Sequence, residues 1–300
     1  MKDYIVLEDL KRFIYTLGDN KKTMFFSFLV AGILGLIVAF TVAPTYTSKG
    51  IYEVTLEDLD TKSQLSAFRQ DIFNPFGAMG DPASYKVIEI LKSRDFIINL
   101  IKKYNLKRDL YAVSEYNKST RQTTYSATVD ENGKWIKGIE PDDESAYELF
   151  KVFYNTSLDL ETGYITISVK HYSQVTSKKW VEILAYEVNE LLRNEDLESS
   201  KASIEYYKNQ ISQELSEDLI NVTSRLMEGE IRKKMLANVK SDYAIKPIDP
   251  PYFPELKSGP SRLLILLLFL FLGFLTGSAI IYNKKIKNKF RELAKRPEDA

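Results

Sequence analysis

Leu263–Tyr282 reads LLILLLFLFLGFLTGSAIIY, an uncharged run of twenty residues, and Met24–Val42 (MFFSFLVAGILGLIVAFTV) is a second uncharged run near the other end. At about 1.5 Å per residue each reaches roughly 29–30 Å as a helix, the thickness of a bilayer's hydrocarbon core. Fourteen residues of the run at 263–282 are Leu, Ile or Phe. Each favours insertion by about 0.3–0.6 kcal/mol, more than its few small polar side chains cost. Both runs therefore predict membrane spans, with residues 43–262 held as one loop between two anchors. The first run exceeds the roughly 7–15-residue apolar core of a signal peptide and lacks an A-x-A cleavage site, so it is expected to be retained.

Charge predicts orientation. The tail 283–300 carries Lys284, Lys285, Lys287, Lys289, Arg291, Lys295 and Arg296 against Glu292, Glu298 and Asp299. The tail 1–23 has Lys21 and Lys22 beside the first run. Positive charge collects on the cytoplasmic side, which predicts both termini there. The loop keeps 29 basic and 34 acidic residues, so the overall net charge of zero conceals an acidic outer part. Without cysteine, neither disulfides nor thiolate metal sites are available. At this length the loop is able to bury a core unaided.

Between the anchors the pattern is mixed α and β. Tyr52–Leu56 alternates as a half-buried strand. Asp71–Asp81 reads as a loop punctuated by Pro75, Gly77 and Gly80. Asp81-Pro82 predicts a helix start, with Val87, Ile88 and Leu91 on one face, and Ser93 predicts the cap of a second short helix carrying Phe96, Ile97, Leu100 and Ile101. Asn132-Gly133 suggests a hairpin within Tyr125–Ile136. Pro141–Tyr154 predicts a helix capped by Asp142, with Leu149, Val152 and Phe153 on its apolar side. Ser157–Leu160 and Tyr164–Lys170 predict a strand pair around Glu161–Gly163.

From Gln174 to Tyr243 there is no proline and one glycine, Gly229. Apolar residues recur at steps of three, four and seven, Ile204, Ile211, Leu215, Leu219, Val222 and Leu226 among them, which predicts a long helical region with one apolar seam. An unbroken helix over 174–243 would reach roughly 105 Å, far longer than a core of this size. It would protrude and pack against copies of itself, and that is the expectation preferred over a fold-back near 194–200 or at Gly229. Lys246–Pro260 follows with Pro247, Pro250, Pro251, Pro254 and Pro260. So many missing backbone donors exclude a helix or an inner strand and predict an extended strut leading to the second span.

Catalytic equipment is sparse. His171 is the one histidine, read as an ordinary, partly exposed side chain, and with no cysteine no metal site suggests itself. Gly18–Thr23 lacks the first glycine of a phosphate loop. Asp58/Asp60 and Asp142-Asp143 are acidic pairs, but nothing brings them into one cleft, and Asp142-Asp143 is better read as helix capping. No catalytic residue, cofactor or nucleic-acid partner is predicted. Asn117, Asn155 and Asn221 begin N-x-S/T sequons, and Glu115 lies at −2 from Asn117, the acid that bacterial N-glycosylation machinery requires where it exists. In the spans, Ala31, Gly35, Ala39 and Ala43 form a stripe of small residues and Gly273-Phe-Leu-Thr-Gly277 a G-x-x-x-G, spacings that let helices approach closely in lipid.

Taken together, this order of elements resembles the polysaccharide co-polymerases, the Wzz chain-length determinants. Pro44-Thr-Tyr46 is similar to that family's P-x-Y element and Leu91-Lys-Ser93-Arg-Asp-Phe96 to its helix break. Gly163–Val169 is similar to its central strand, and Trp180–Asn189 to the following helix. Asp249-Pro-Pro-Tyr-Phe-Pro254, Pro260-Ser-Arg262 and Gly273/Gly277 resemble its most recognisable signature. Pro-Pro in place of the usual Pro-Ala, and Tyr172-Ser-Gln174 in place of a common Asp-Pro, are departures. The resemblance implies an α+β fold in which two terminal helices flank a periplasmic α/β base with a long protruding helix. It also implies an inner-membrane, non-enzymatic regulator of surface-polysaccharide length, of the O-antigen type. A homo-oligomeric ring, a Wzy-type polymerase and the nascent lipid-linked polysaccharide would be its partners. Alternatives are a capsule or exopolysaccharide export subunit paired with a separate tyrosine kinase, or a membrane-anchored extracytoplasmic sensor. A two-span channel subunit is a further rival, although neither span carries an ionisable residue.

Overall fold

The computed structural model of the chain describes residues 20–56, 82–130, 134–136, 138–213 and 216–293. It divides into two units, one of residues 45–257 and one of residues 1–44 with 258–300. The predicted loop at Asp71–Asp81, the acidic pair Asp58/Asp60, the Asn132-Gly133 turn and Leu215 lie outside the described residues.

In the larger unit, the first strand, β1 (Tyr46–Val54), turns Tyr46, Ser48, Gly50 and Tyr52 inward and leaves Thr47, Lys49, Ile51 and Glu53 partly or fully exposed. The strand starts six residues earlier than its alternating pattern suggests. A Cβ at Gly50 would meet the Tyr52 ring at 2.7 Å, so a larger residue there would have to displace that ring. Two helices follow, α1 (Pro82–Lys92) and α2 (Arg94–Lys103). Ser93 Oγ accepts from Phe96 N–H at 3.3 Å, a cap worth about 1 kcal/mol. Val87, Ile88, Leu91, Phe96, Ile97, Leu100 and Ile101 are all buried, as their spacing predicts. A short helix, α3 (Lys107–Tyr111), leads to a hairpin of β2 (Val113–Asn117) and β3 (Gln122–Tyr125). This hairpin was not anticipated. Of the hairpin expected over Tyr125–Ile136, the described residues show a bridge between Val129 and Trp135, flanked by hydrogen bonds from Asp130 N–H to Lys134 O and from Ile136 N–H to Thr128 O.

Helix α4 (Asp143–Phe153) is capped by Asp142, whose carboxylate accepts from Ser145 N–H at 2.8 Å and is thereby held below the usual carboxylate range. Asp143 pairs with Lys102 and Lys107, which pull its carboxyl down to about 2. Ala146 and Phe150 are the buried positions of this helix, while Val152 is 74% exposed rather than on the apolar side. Strands β4 (Tyr154–Leu158) and β5 (Ile165–His171) then pair antiparallel, with Gly163 at φ +72° in the turn between them. Helix α5 runs over Gln174–Gln213, α6 over Glu217–Val239, and β6 over Ile245–Asp249. The sheet order is β4-β5-β1-β6, every pair antiparallel.

The first part of α5 covers the inward face of this sheet. Trp180, Val181, Leu184, Val188 and Leu192 are fully buried, and Trp180 stacks on Phe150 with ring centroids 5.1 Å apart. Asn189 fastens the last strand to this helix. Its Oδ1 accepts from Ala244 N–H at 2.7 Å and Ile245 N–H at 2.8 Å, and its Nδ2 donates to Ile245 O at 3.0 Å.

The expected unbroken helix over 174–243 does not form. The helix stops after Gln213, and α6 runs back beside α5. Lys233 reaches Asp196 at 2.5 Å, and Arg193 donates to the carbonyls of Lys240 and Ser241. The break falls at neither Gly229 nor 194–200, all of which are helical. Ser216 holds extended N-cap backbone, and Glu217 and Asp218 in the next turn complement the dipole of α6. Folding back lets each helix cover part of the other's surface.

The smaller unit holds α7 (Lys21–Thr41) and α8 (Arg262–Leu293), labelled separately from the larger unit's helices, and both contain segments long and apolar enough to cross a membrane. Asn189→Leu would strand two buried N–H groups and one carbonyl in the larger unit. At about 1–3 kcal/mol for each orphaned group, partly offset by relaxation, the expected loss is on the order of 3 kcal/mol. Thermal unfolding of the solubilised chain reads this as a clearly lowered midpoint; an unchanged midpoint would contradict the role given to Asn189.

Candidate functional site

Among the described residues no group of three His, Cys, Asp or Glu converges as a metal site. Three built features remain: the packed apolar helices, the docked strut, and the outer surface of the helical pair.

The two apolar helices meet through the small residues singled out above. Gly35 and Ala39 are buried on α7, and Gly273 and Gly277 on α8. A Cβ on Gly35 would meet Phe269 at 2.7 Å, and one on Gly273 would meet the Ala31 Cβ at 2.6 Å. One on Gly277 would meet the Met24 sulfur at 2.9 Å. This close approach lets Ser27 Oγ donate to the Gly273 carbonyl at 2.7 Å, and Ser27 Oγ lies 3.2 Å from Thr276 Oγ1. Such a bond is favoured in lipid, where no water competes for the polar groups. Ala43 is exposed and lies beyond the helix end at Thr41, so the stripe ends at Ala39. Arg262 places its guanidinium over the Phe40 ring at 4.6 Å.

The strut is held by acceptors, since its prolines leave few donors. After β6, which tolerates Pro247 because it is an edge strand, Pro250 is exposed and Pro254 buried. Ser48 Oγ donates to Tyr252 O at 2.8 Å, Gln174 Nε2 to Pro254 O at 2.6 Å, and Lys118 Nζ to Glu255 O at 2.8 Å. Phe253 lies within 4.7 Å of the Arg121 guanidinium and 5.0 Å of the Lys178 ammonium. The clamp thus draws on β1, the β2–β3 hairpin and the start of α5. Tyr46 and Tyr116 pack edge to face at 6.1 Å, and the Tyr116 hydroxyl donates to Gln174 Oε1 at 3.0 Å.

His171 sets the start of α5 beneath this clamp. It is fully buried, contrary to the partly exposed position expected of it, because β5 turns it inward against Phe153 and Trp180. Its Nδ1 accepts from Ser173 N–H at 3.0 Å, which makes Nε2 the protonated nitrogen, donating to Asp109 O at 2.9 Å. Burial lowers its pKa, and the Asp109 carbonyl offsets part of that effect. Strand alternation continued by one residue past Lys170 was the available signal for its burial.

On the helical pair, Ile204 and Ile211 are half-buried, whereas Leu219, Val222 and Leu226 are 52%, 55% and 51% exposed. The predicted seam is therefore not one buried face. Its α6 members form an uncovered apolar row, because the restart at Ser216 breaks the phase that a continuous helix would have kept.

Residues 8–104, which include α7, β1, α1 and α2, match the family model described as Wzz: Chain length determinant protein. Over those residues the chain is similar to the chain length determinants. Among the family-signature residues, Tyr46, Trp180 and Asn189 are buried, Ser93 caps α2, Gly163 occupies its turn, and Pro44 is exposed. No curated protein matches the chain. A solved structure described as a full-length bacterial polysaccharide co-polymerase aligns over 92% of this chain and 97% of its own, at 11% identity and a TM-score of 0.38. A fragment of WzzB, polysaccharide co-polymerase from Salmonella Typhimurium, aligns over 72% of this chain and 100% of its own, at 11% identity and a TM-score of 0.25.

Two outcomes are expected. Ser27→Cys with Thr276→Cys should cross-link within one chain on oxidation, and adding Gly273→Leu should strongly reduce the yield; an undiminished yield contradicts the close packing. Because the folded state holds His171 neutral, its contribution to stability is present above pH ~6.5 and is lost as pH falls, by up to about 1.4 kcal/mol per unit until the folded pKa is reached. Melting midpoints measured from pH 7.5 down to 5.5 should therefore fall, and His171→Gln should flatten that fall. Equal slopes would remove His171 from the account.

Proposed function

We propose that this protein is an inner-membrane polysaccharide co-polymerase that sets the chain length of a surface polysaccharide of the O-antigen type, acting with a Wzy-type polymerase. Both termini face the cytoplasm and residues 43–262 face the periplasm, a reading supported by the basic residues at the ends of the spans. The match of residues 8–104 to the chain length determinants is the observation that carries the proposal. The protein acts as a scaffold, with no residue making or breaking a glycosidic bond.

Copies assemble as a ring through their apolar surfaces. The exposed row Leu219, Val222 and Leu226 supports this, since contiguous apolar surface without a partner favours association. The ring gathers polymerases and restrains the growing lipid-linked chain, so that geometry governs length. The bonded carbonyls of residues 252–255 support a coupling role for the strut, with Pro247, Pro250, Pro251, Pro254 and Pro260 keeping its backbone extended.

The test is a gel of surface polysaccharide from cells lacking the gene, beside the same cells complemented. Loss of a modal band in the deletion, with its return on complementation, is expected. A pattern that keeps its mode would overturn the proposal and favour a sensor or channel role.

A further inference from the structure

The asparagine of one sequence motif has no part in this scaffold. Glu115-Tyr-Asn117-Lys-Ser119 is an N-x-S sequon with an acid two residues before the asparagine. In the fold it sits at the tip of the β2–β3 hairpin. Asn117 is the last residue of β2, and the next four residues make the turn. Glu115, Asn117, Lys118 and Ser119 are all exposed. Asn117 Oδ1 accepts from Ser119 N–H at 2.9 Å and Thr120 N–H at 3.2 Å. The side-chain amide is thus ordered through its oxygen, while Nδ2 is the atom a glycosyl transfer would use. Lys118 anchors the tip to the strut through Glu255 O, so the motif is presented at a fixed place on the surface.

The other two sequons differ in both respects. Asn155 lies within β4, opposite Ser168 in the sheet, and has Phe153 at −2. Asn221 lies within helix α6 and has Leu219 at −2. Asn117 closes its ladder opposite Gln122, and the chain leaves the sheet at the next residue. A transferase must seat the acceptor peptide in its own groove, and at the other two it would have to open the interior of a ladder or a helix. Only Asn117 combines the turn with the acid.

We propose that Asn117 is an N-glycosylation site. This rests on the reading above that residues 43–262 face the periplasm, where polyisoprenyl-diphosphate-linked oligosaccharides are presented. Asn117 Nδ2 attacks the anomeric carbon of such a donor, forming the N–C1 bond. The bond from C1 to the diphosphate oxygen breaks, and the lipid diphosphate leaves with the bonding electrons. The amide gives one proton to a base of the transferase, so no oxidant or reductant enters. Glu115 is the recognition residue and Ser119 the hydroxyl-bearing one, both read by the transferase.

The full chain is purified from the membranes of its own cells, and the peptide carrying Asn117 is analysed by mass spectrometry. A glycan adduct on Asn117 is expected, absent from Asn117→Gln and Glu115→Gln and retained in Asn155→Gln. A bare Asn117 overturns the proposal, as does an adduct that survives Glu115→Gln or one found on Asn155 or Asn221 instead. Ser114→Cys, labelled in spheroplasts by a membrane-impermeant maleimide, separates the two possible failures. Labelling with a bare Asn117 overturns the glycosylation site and leaves the topology standing; absence of labelling with a bare Asn117 overturns both.

Discussion

The pairing of β1 with β6 is the constraint on which the larger unit depends. β1 is the first strand after the first apolar helix, and β6 the last element before the strut. Side by side and antiparallel, they make everything between residues 55 and 244 a closed excursion with fixed ends. Thr55 seals the same junction, its N–H donating to Ala244 O and its hydroxyl to the carbonyls of Asp242 and Tyr243. Asn189 then pins β6 to the helix that covers the sheet.

The strut follows from the same logic. A segment rich in proline contributes almost no donors to a sheet, yet its carbonyls are all available. Three side chains from three different elements fill that need, and Phe253 adds cation–π contacts with Arg121 and Lys178 worth roughly 0.5–1 kcal/mol each at exposed sites. The clamp is assembled from weak parts, and its specificity lies in requiring the β2–β3 hairpin, β1 and α5 together.

Much of this was legible in residue order. Span lengths, the Ser93 and Asp142 caps and the β4–β5 pair rest on local rules, in which a side chain bonds or buries within a few residues of its own position. The features that escaped are long-range or ambiguous. The β2–β3 hairpin lacks the Asn-Gly signal that drew attention instead to 132–133; its turn uses Arg121 at φ +55°. The N-cap at Ser216 carried only a Ser-Glu-Asp signature, easily read as ordinary polar helix. Tracing one seam through it placed Leu219, Val222 and Leu226 on a face shared with Ile204, whereas the fold-back turns them outward. The strut clamp depends on Gln174, Lys118 and Ser48, which no spacing rule connects to residues 252–255.

That outward row is where fold and proposed function meet, because a length regulator acting by geometry must spend its uncovered apolar surface on its own copies. The most direct measurement is the modal polysaccharide length in cells carrying Leu219→Gln, Val222→Gln and Leu226→Gln together, beside circular dichroism of the purified variant. The account predicts a native helix content with a lost or shifted mode and a smaller oligomer. An unchanged mode in a variant whose assembly has fallen apart would contradict it.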